Sequence, residues 1–118
     1  MASDKISKEE IMQKLATGKP FILLLLLTGE TTPPANEDES NSIQFEHLTH
    51  LFQMEKEGKC SVFGPVANDE KLRDIIIFNT TDKGEVHQWM KDDPWIKRNC
   101  LRYELYDWFT IPGQTIPV

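Results

Sequence analysis

The sequence predicts an α+β fold: a four-stranded antiparallel sheet in the order β-α-β-β-α-β, preceded by one extra helix. Three observations predict it. Two unbroken apolar runs, "FILLLLL" (21–27) and "DIIIF" (74–78), read as strands covered on both faces. Two longer stretches with apolar residues at helical spacing, starting near residues 41 and 82, alternate with the strand-like segments. Gly58, Gly64-Pro65 and Pro94 punctuate the joins between them.

The elements follow in order. Ser7 and Glu10 form a capping box, with Ile6 and Ile11 placed to staple across it. Ile11 and Leu15 continue an apolar stripe, and Gly18 with Pro20 stops this first helix near residue 17. The first strand spans about 21–28. "GETTPPANEDES" then reads as a polar, acidic loop broken by its two prolines. A second helix from Asn41 or Ser42 to Glu57 is closed by Gly58, and the strand "KCSVF" by Gly64-Pro65. The strand "DIIIFNT" leads to a third helix that begins near Asp82, presents Val86, Trp89 and Met90 on one face, and ends at Pro94. A turn, "WIKRN", and the strand "CLRYELYDWF" complete the unit. The expected division is an N-terminal helical extension (1–19), one ferredoxin-like domain (20–109) and a C-terminal tail (110–118).

In this order the two continuous runs are the central strands, yet two helices cover only one face of the sheet. A second subunit is the economical cover for the other face, so a homodimer is expected. Cover by the N-terminal helix and the tail is the competing expectation.

Composition narrows the function classes. A formal charge of −6 and the lack of a basic stripe exclude a nucleic-acid binder. The apolar run at 21–27 is too short for a membrane span of about 20 residues, and its acidic flanks do not suit a signal sequence. Cys60 and Cys100 stand apart without metal-ligand spacing, which reads as two reduced thiols in a cytoplasmic protein.

The chemistry-bearing stretch is "HLTHLFQMEKEG". On a helical wheel Leu48, Leu51 and Phe52 define the apolar side, with Met54 on its flank. His47 falls beside Leu51 and Met54, facing inward, whereas His50 falls on the polar side with Glu46 and Gln53. Glu55, in the middle of the stripe, has no evident role. Asp93, continued around the third helix, also faces the core, and a buried carboxylate needs a partner. His47 is a natural one, and such a pair can move a proton near neutral pH. Alternatively, Asp93 merely caps a turn, as Asp before Pro often does. His47 and His50 face apart and no third spaced ligand follows, so no metal is expected.

Residues 20–109 resemble the YCII-related family, a branch of the dimeric α+β barrel proteins. The residues that carry the resemblance are "HLTHLFQMEKEG", the strand ending "FGP", and "WMKDDPW" before a final strand. The resemblance places the family's helix-opening histidine on His47, its Gly-Pro on Gly64 and Pro65, and its Asp-Pro-aromatic on Asp93, Pro94 and Trp95. It implies a His47/Asp93 pair in a pocket near a dimer interface, with Gly64, Pro65 and Trp95 binding substrate and no cofactor. Muconolactone isomerase and a chloromuconolactone dehalogenase are relatives by fold and family. The expected function is therefore acid–base catalysis, of isomerase, lyase or dehalogenase type, on a small polar or anionic molecule. The rival expectation is a non-catalytic ligand-binding or interaction protein of the same fold, with a cofactor-free monooxygenase as a third. The chain departs from the family in its N-terminal helix, in its acidic loop after the first strand, and at Asn99, where many members have glycine.

Overall fold

The computed structural model describes residues 4–118. The chain runs α1 (Lys8–Leu15), β1 (Lys19–Thr28), α2 (Glu37–Lys56), β2 (Cys60–Pro65), β3 (Leu72–Phe78), α3 (Lys83–Met90), α4 (Pro94–Lys97) and β4 (Leu101–Thr110). The strands form one sheet in the order β2-β3-β1-β4, and each neighbouring pair is antiparallel. This is the expected α+β, ferredoxin-like arrangement, with β1 and β3 at the centre.

The period-2 alternation of β1 sorts its leucines onto two faces. Ile22, Leu24 and Leu26 are fully buried, as are Ile76 and Phe78 on β3, and all pack under Leu51 and Met54 of α2 and Val86 and Met90 of α3. Leu23 and Leu25 pair with Ile77 and Ile75 on the opposite face and are half-buried. Val62, Tyr106 and Trp108 extend that second apolar face across β2 and β4, each at least 39% exposed. Neither α1 nor the tail supplies its cover. None of the residues of α1 is buried, Ile6, Ile11, Met12 and Leu15 are all exposed, and so are Ile116 and Val118. The capping box on α1 is formed, but the stripe it starts meets no core. The chain is accordingly long, 62 × 32 × 25 Å.

Two helix boundaries differ from the sequence reading, and both differences bear on the site. Helix α2 begins at Glu37, not at residue 41 or 42: Asn36 caps it by accepting from the Glu39 N–H at 2.9 Å. Glu37, Asp38 and Glu39 form its first turn, where carboxylates suit the positive end of the helix dipole. The last third of the expected acidic loop is thus helix. Helix α3 stops at Met90, and a separate short helix, α4, starts at Pro94 with Asp93 as its N-cap.

The buried line of α2 also differs. It is Ile43, His47, Leu51 and Met54, while Leu48 and Phe52, placed at the centre of the apolar side by the wheel, are 38% and 57% exposed. The helix carries two adjacent apolar arcs, and bonds from the α4 segment fix which one turns inward. Trp95 Nε1–H donates to Gln44 Oε1 at 2.9 Å, and Asp93 engages His47. Glu55 is exposed beside this line rather than inside it. Cys60 and Cys100 are both free and buried.

Candidate active site

His47 lies midway along α2 with only 2% of its surface exposed, and Asp93 is completely buried. Their side chains meet at 2.5 Å, Nδ1 to Oδ2. The other oxygen of Asp93, Oδ1, accepts the backbone N–H groups of Trp95 at 2.9 Å and Ile96 at 3.3 Å. The two sequence-level alternatives for Asp93, cap or partner, are therefore not exclusive. One oxygen caps α4 and the other holds the imidazole. Proline at the next position suits this, because its missing N–H would have been unpaired in the first turn anyway.

The electrostatics follow from these bonds. Burial opposes ionisation of Asp93, but hydrogen bonds from His47 and His50 outweigh it and hold the carboxyl down at about 2. An ionised Asp93 only accepts, so Nδ1 of His47 is the protonated nitrogen in the neutral ring. That leaves Nε2 as the lone-pair nitrogen. It has no hydrogen-bond partner among the described residues, and His47 lines a cavity of about 620 Å³.

His50 is not on the solvent side as the wheel placed it. Its side chain is 18% exposed, and its Nδ1 lies 3.5 Å from the same Asp93 oxygen. The turn of helix that brings His47 inward carries its i+3 neighbour to the other flank of the same carboxylate. Among the described residues, no group of His, Cys, Asp and Glu is arranged to hold a metal ion.

The cavity opens between α2, α4, one end of the strands and the loop after β1. Pro65 and Trp95 line it together with His47. Gly64 does not: it pairs with Ile75, which puts it on the opposite face of the sheet from Pro65 and Asp74. Asp93 does not line it either, being behind the imidazole. The mouth is tied by backbone bonds, Gly29 N–H to the Cys100 carbonyl at 2.8 Å and Thr31 N–H to the Asn99 carbonyl at 2.9 Å. A side chain at Gly29 would collide with that Asn99 carbonyl. Asn99 itself takes the left-handed conformation, φ 59°, that glycine would otherwise supply.

No protein-family model and no curated protein sequence matches the chain. Among solved structures, it is similar to the 5-chloro-2-hydroxyhydroquinone dehydrochlorinase of Burkholderia phenoliruptrix AC1100, in complex with 2,5-dihydroxybenzoquinone. The match has a TM-score of 0.50 at 20% identity and covers 73% of this chain and 92% of the other. The two share a fold.

Sequence reasoning missed several cavity residues. Gln44, Arg73 and Asp74 line it, as do Glu30 and Glu70 from the loops. A signal existed for one of them. Asp74 opens "DIIIF" as a lone acid against an apolar strand, and pairing with Leu26 sets it on the helix-covered face. No helix among the described residues is long and apolar enough to cross a membrane.

Proposed function

We propose that this chain is a cofactor-independent acid–base enzyme acting on a small organic molecule, with His47 as the base and Asp93 as the residue that orients it. One observation carries the reading: an imidazole 2% exposed lines a cavity of about 620 Å³, is fixed through Nδ1 by an ionised carboxylate, and has no partner for Nε2 among the described residues. A carboxylate that fixes the tautomer and stabilises the protonated ring is what a general base requires. His47 Nε2 takes a proton from an acidic O–H or C–H of the ligand. The electron pair left behind then either expels a leaving group, such as chloride, from a saturated carbon (a ring carbon bearing the chloride first takes a proton from the imidazolium), or forms a C–H bond when the imidazolium reprotonates another carbon. Both outcomes balance without an oxidant or reductant. Dehydrochlorination by the structurally similar enzyme is chemistry of the first kind.

The catalytic unit in this reading is residues 20–109, with 1–19 and 110–118 as additions. It works as a homodimer packed through the uncovered sheet face, where Leu23, Leu25, Ile75 and Ile77 form a row too apolar for water. The two free, buried thiols suit a reducing, cytoplasmic setting.

The test is to incubate the protein in D₂O with chlorinated hydroxyhydroquinone and with an unsaturated lactone, following chloride release and deuterium uptake. Turnover of either that disappears in His47→Asn supports the base. Binding at His47 without turnover of either would make this a ligand-binding protein instead.

A further inference from the structure

The cavity contains a second carboxylate that the His47–Asp93 pair does not use. Asp74 sits in β3 with Leu26 beside it on one strand and Pro65 on the other, so it shares the helix-covered face with Ile76 and Phe78. Those two neighbours are fully buried, and Asp74 is half-buried where the cavity reaches the sheet. No hydrogen bond or ion pair engages its side chain among the described residues. Aspartate is disfavoured in strands, and an acid that is half desolvated without a partner costs stability. No buried side-chain oxygen among the described residues is left unpaired, so the Asp74 carboxylate is accessible and can accept from a molecule that enters the cavity.

The charges around it define the ligand. Glu30 and Glu70 line the same cavity, whereas Arg73 is its one guanidinium and is partly engaged, Nη1 donating to the Asp69 carbonyl at 3.1 Å. Burial pushes the Asp74 carboxyl above the usual range; a protonated His47 and Arg73 oppose that, and Asp93 reinforces it. Trp95, Pro33, Pro65 and Leu101 give the rest of the lining an apolar, flat-sided character.

We infer that Asp74 is a specificity-determining residue of this site, accepting hydrogen bonds from the hydroxyl groups of a neutral ligand and, with Glu30 and Glu70, excluding carboxylates. The inference rests on the cavity being the ligand site, as in the reading above, and it narrows the expected polar or anionic ligand to a neutral, hydroxyl-bearing one. A proton donor also suits His47, whose free Nε2 needs an acidic hydrogen to act on.

The experiment compares two ring probes of similar size, hydroquinone and benzoate, at neutral pH by NMR titration of the Trp95 indole N–H. Wild type should bind hydroquinone about tenfold or more tighter than benzoate, because a second anion would enter an acidic site. Asp74→Asn should shrink that ratio by about fivefold or more, while Asp74→Glu, which keeps the charge, should retain most of it. Benzoate binding as tightly as hydroquinone, no shift with hydroquinone up to its solubility, or a ratio unmoved by Asp74→Asn would each overturn the inference. Asp74→Glu serves as the folded control if the asparagine variant is unstable, and a loss of the ratio in it would also count against the charge. The ratio is read without turnover. A catalytically inactive protein with this selectivity would defeat the enzyme reading and leave Asp74 standing, and an active one without it would do the reverse.

Discussion

His50 shares its partner with His47: both direct Nδ1 at Oδ2 of Asp93, from 3.5 Å and 2.5 Å respectively. The longer contact is the weaker one and sits nearer solvent. Replacing His50 with Asn should therefore lower stability by about 1 kcal/mol or less, seen as a small fall in calorimetric Tm. His47→Asn should leave the fold intact but remove turnover or ligand binding. Equal losses of function in the two variants would make His50 a full member of the site.

Asp93 allows fold and site to be separated by choice of substitution. Asparagine keeps an acceptor for the N–H groups of Trp95 and Ile96 and is as good a cap as aspartate. It removes the charge that fixes the His47 tautomer. Asp93→Asn should thus lose function with a modest drop in Tm. Asp93→Ala removes the cap and the buried partner together and should cost about 3–5 kcal/mol, measured by urea unfolding.

Acid should destabilise the protein through the same carboxyl. Its folded value, about 2, lies below the unfolded one, so its contribution is fully present above the unfolded range and is lost as pH falls toward 2. The loss amounts to roughly 2 kcal/mol between about pH 5 and about pH 2. Urea midpoints across that range should fall more steeply for wild type than for Asp93→Asn. Parallel curves would show that the pair contributes no pH-dependent stability.

The sheet face supplies a prediction about assembly. Leu23 and Leu25, not Leu24 and Leu26, belong to the uncovered face, since the even-numbered pair is fully buried under the helices. Light scattering should give a particle of twice the 13.7 kDa chain. Leu23→Glu with Leu25→Glu should yield a folded monomer, whereas the same changes at Leu24 and Leu26 should unfold the chain. A wild-type monomer at micromolar concentration would defeat the dimer.

The parts of this fold legible in sequence are those set by local pattern. Unbroken apolar runs marked β1 and β3, and the Gly58 and Pro94 breaks separated the elements that follow. His47 and Asp93 stood out because a titratable residue on an apolar stripe is a local anomaly. The rotation of α2 was not legible, because Phe45, Leu48 and Phe52 form a second apolar arc beside Ile43, His47 and Leu51. Tertiary contacts choose between them: the bonds from Asp93 and Trp95 and the packing of Leu51 and Met54 on the sheet. His50 was misplaced for the same reason. Asp74 and Arg73 were missed as cavity residues because a strand's register, absent from the sequence itself, decides which face an isolated acid occupies.

The length of the molecule has a hydrodynamic consequence. A compact chain of this size would have a radius of gyration of about 13 Å, against 17.6 Å here. With α1 standing clear of the core, each chain raises the frictional ratio of the particle, which migrates through a sizing column ahead of a sphere of equal mass. Removing residues 1–18 should return its elution toward that of a sphere while scarcely changing the scattered-light mass expected for the shortened chain. Diffusion and mass therefore report separately on the outlying helix and on the sheet face.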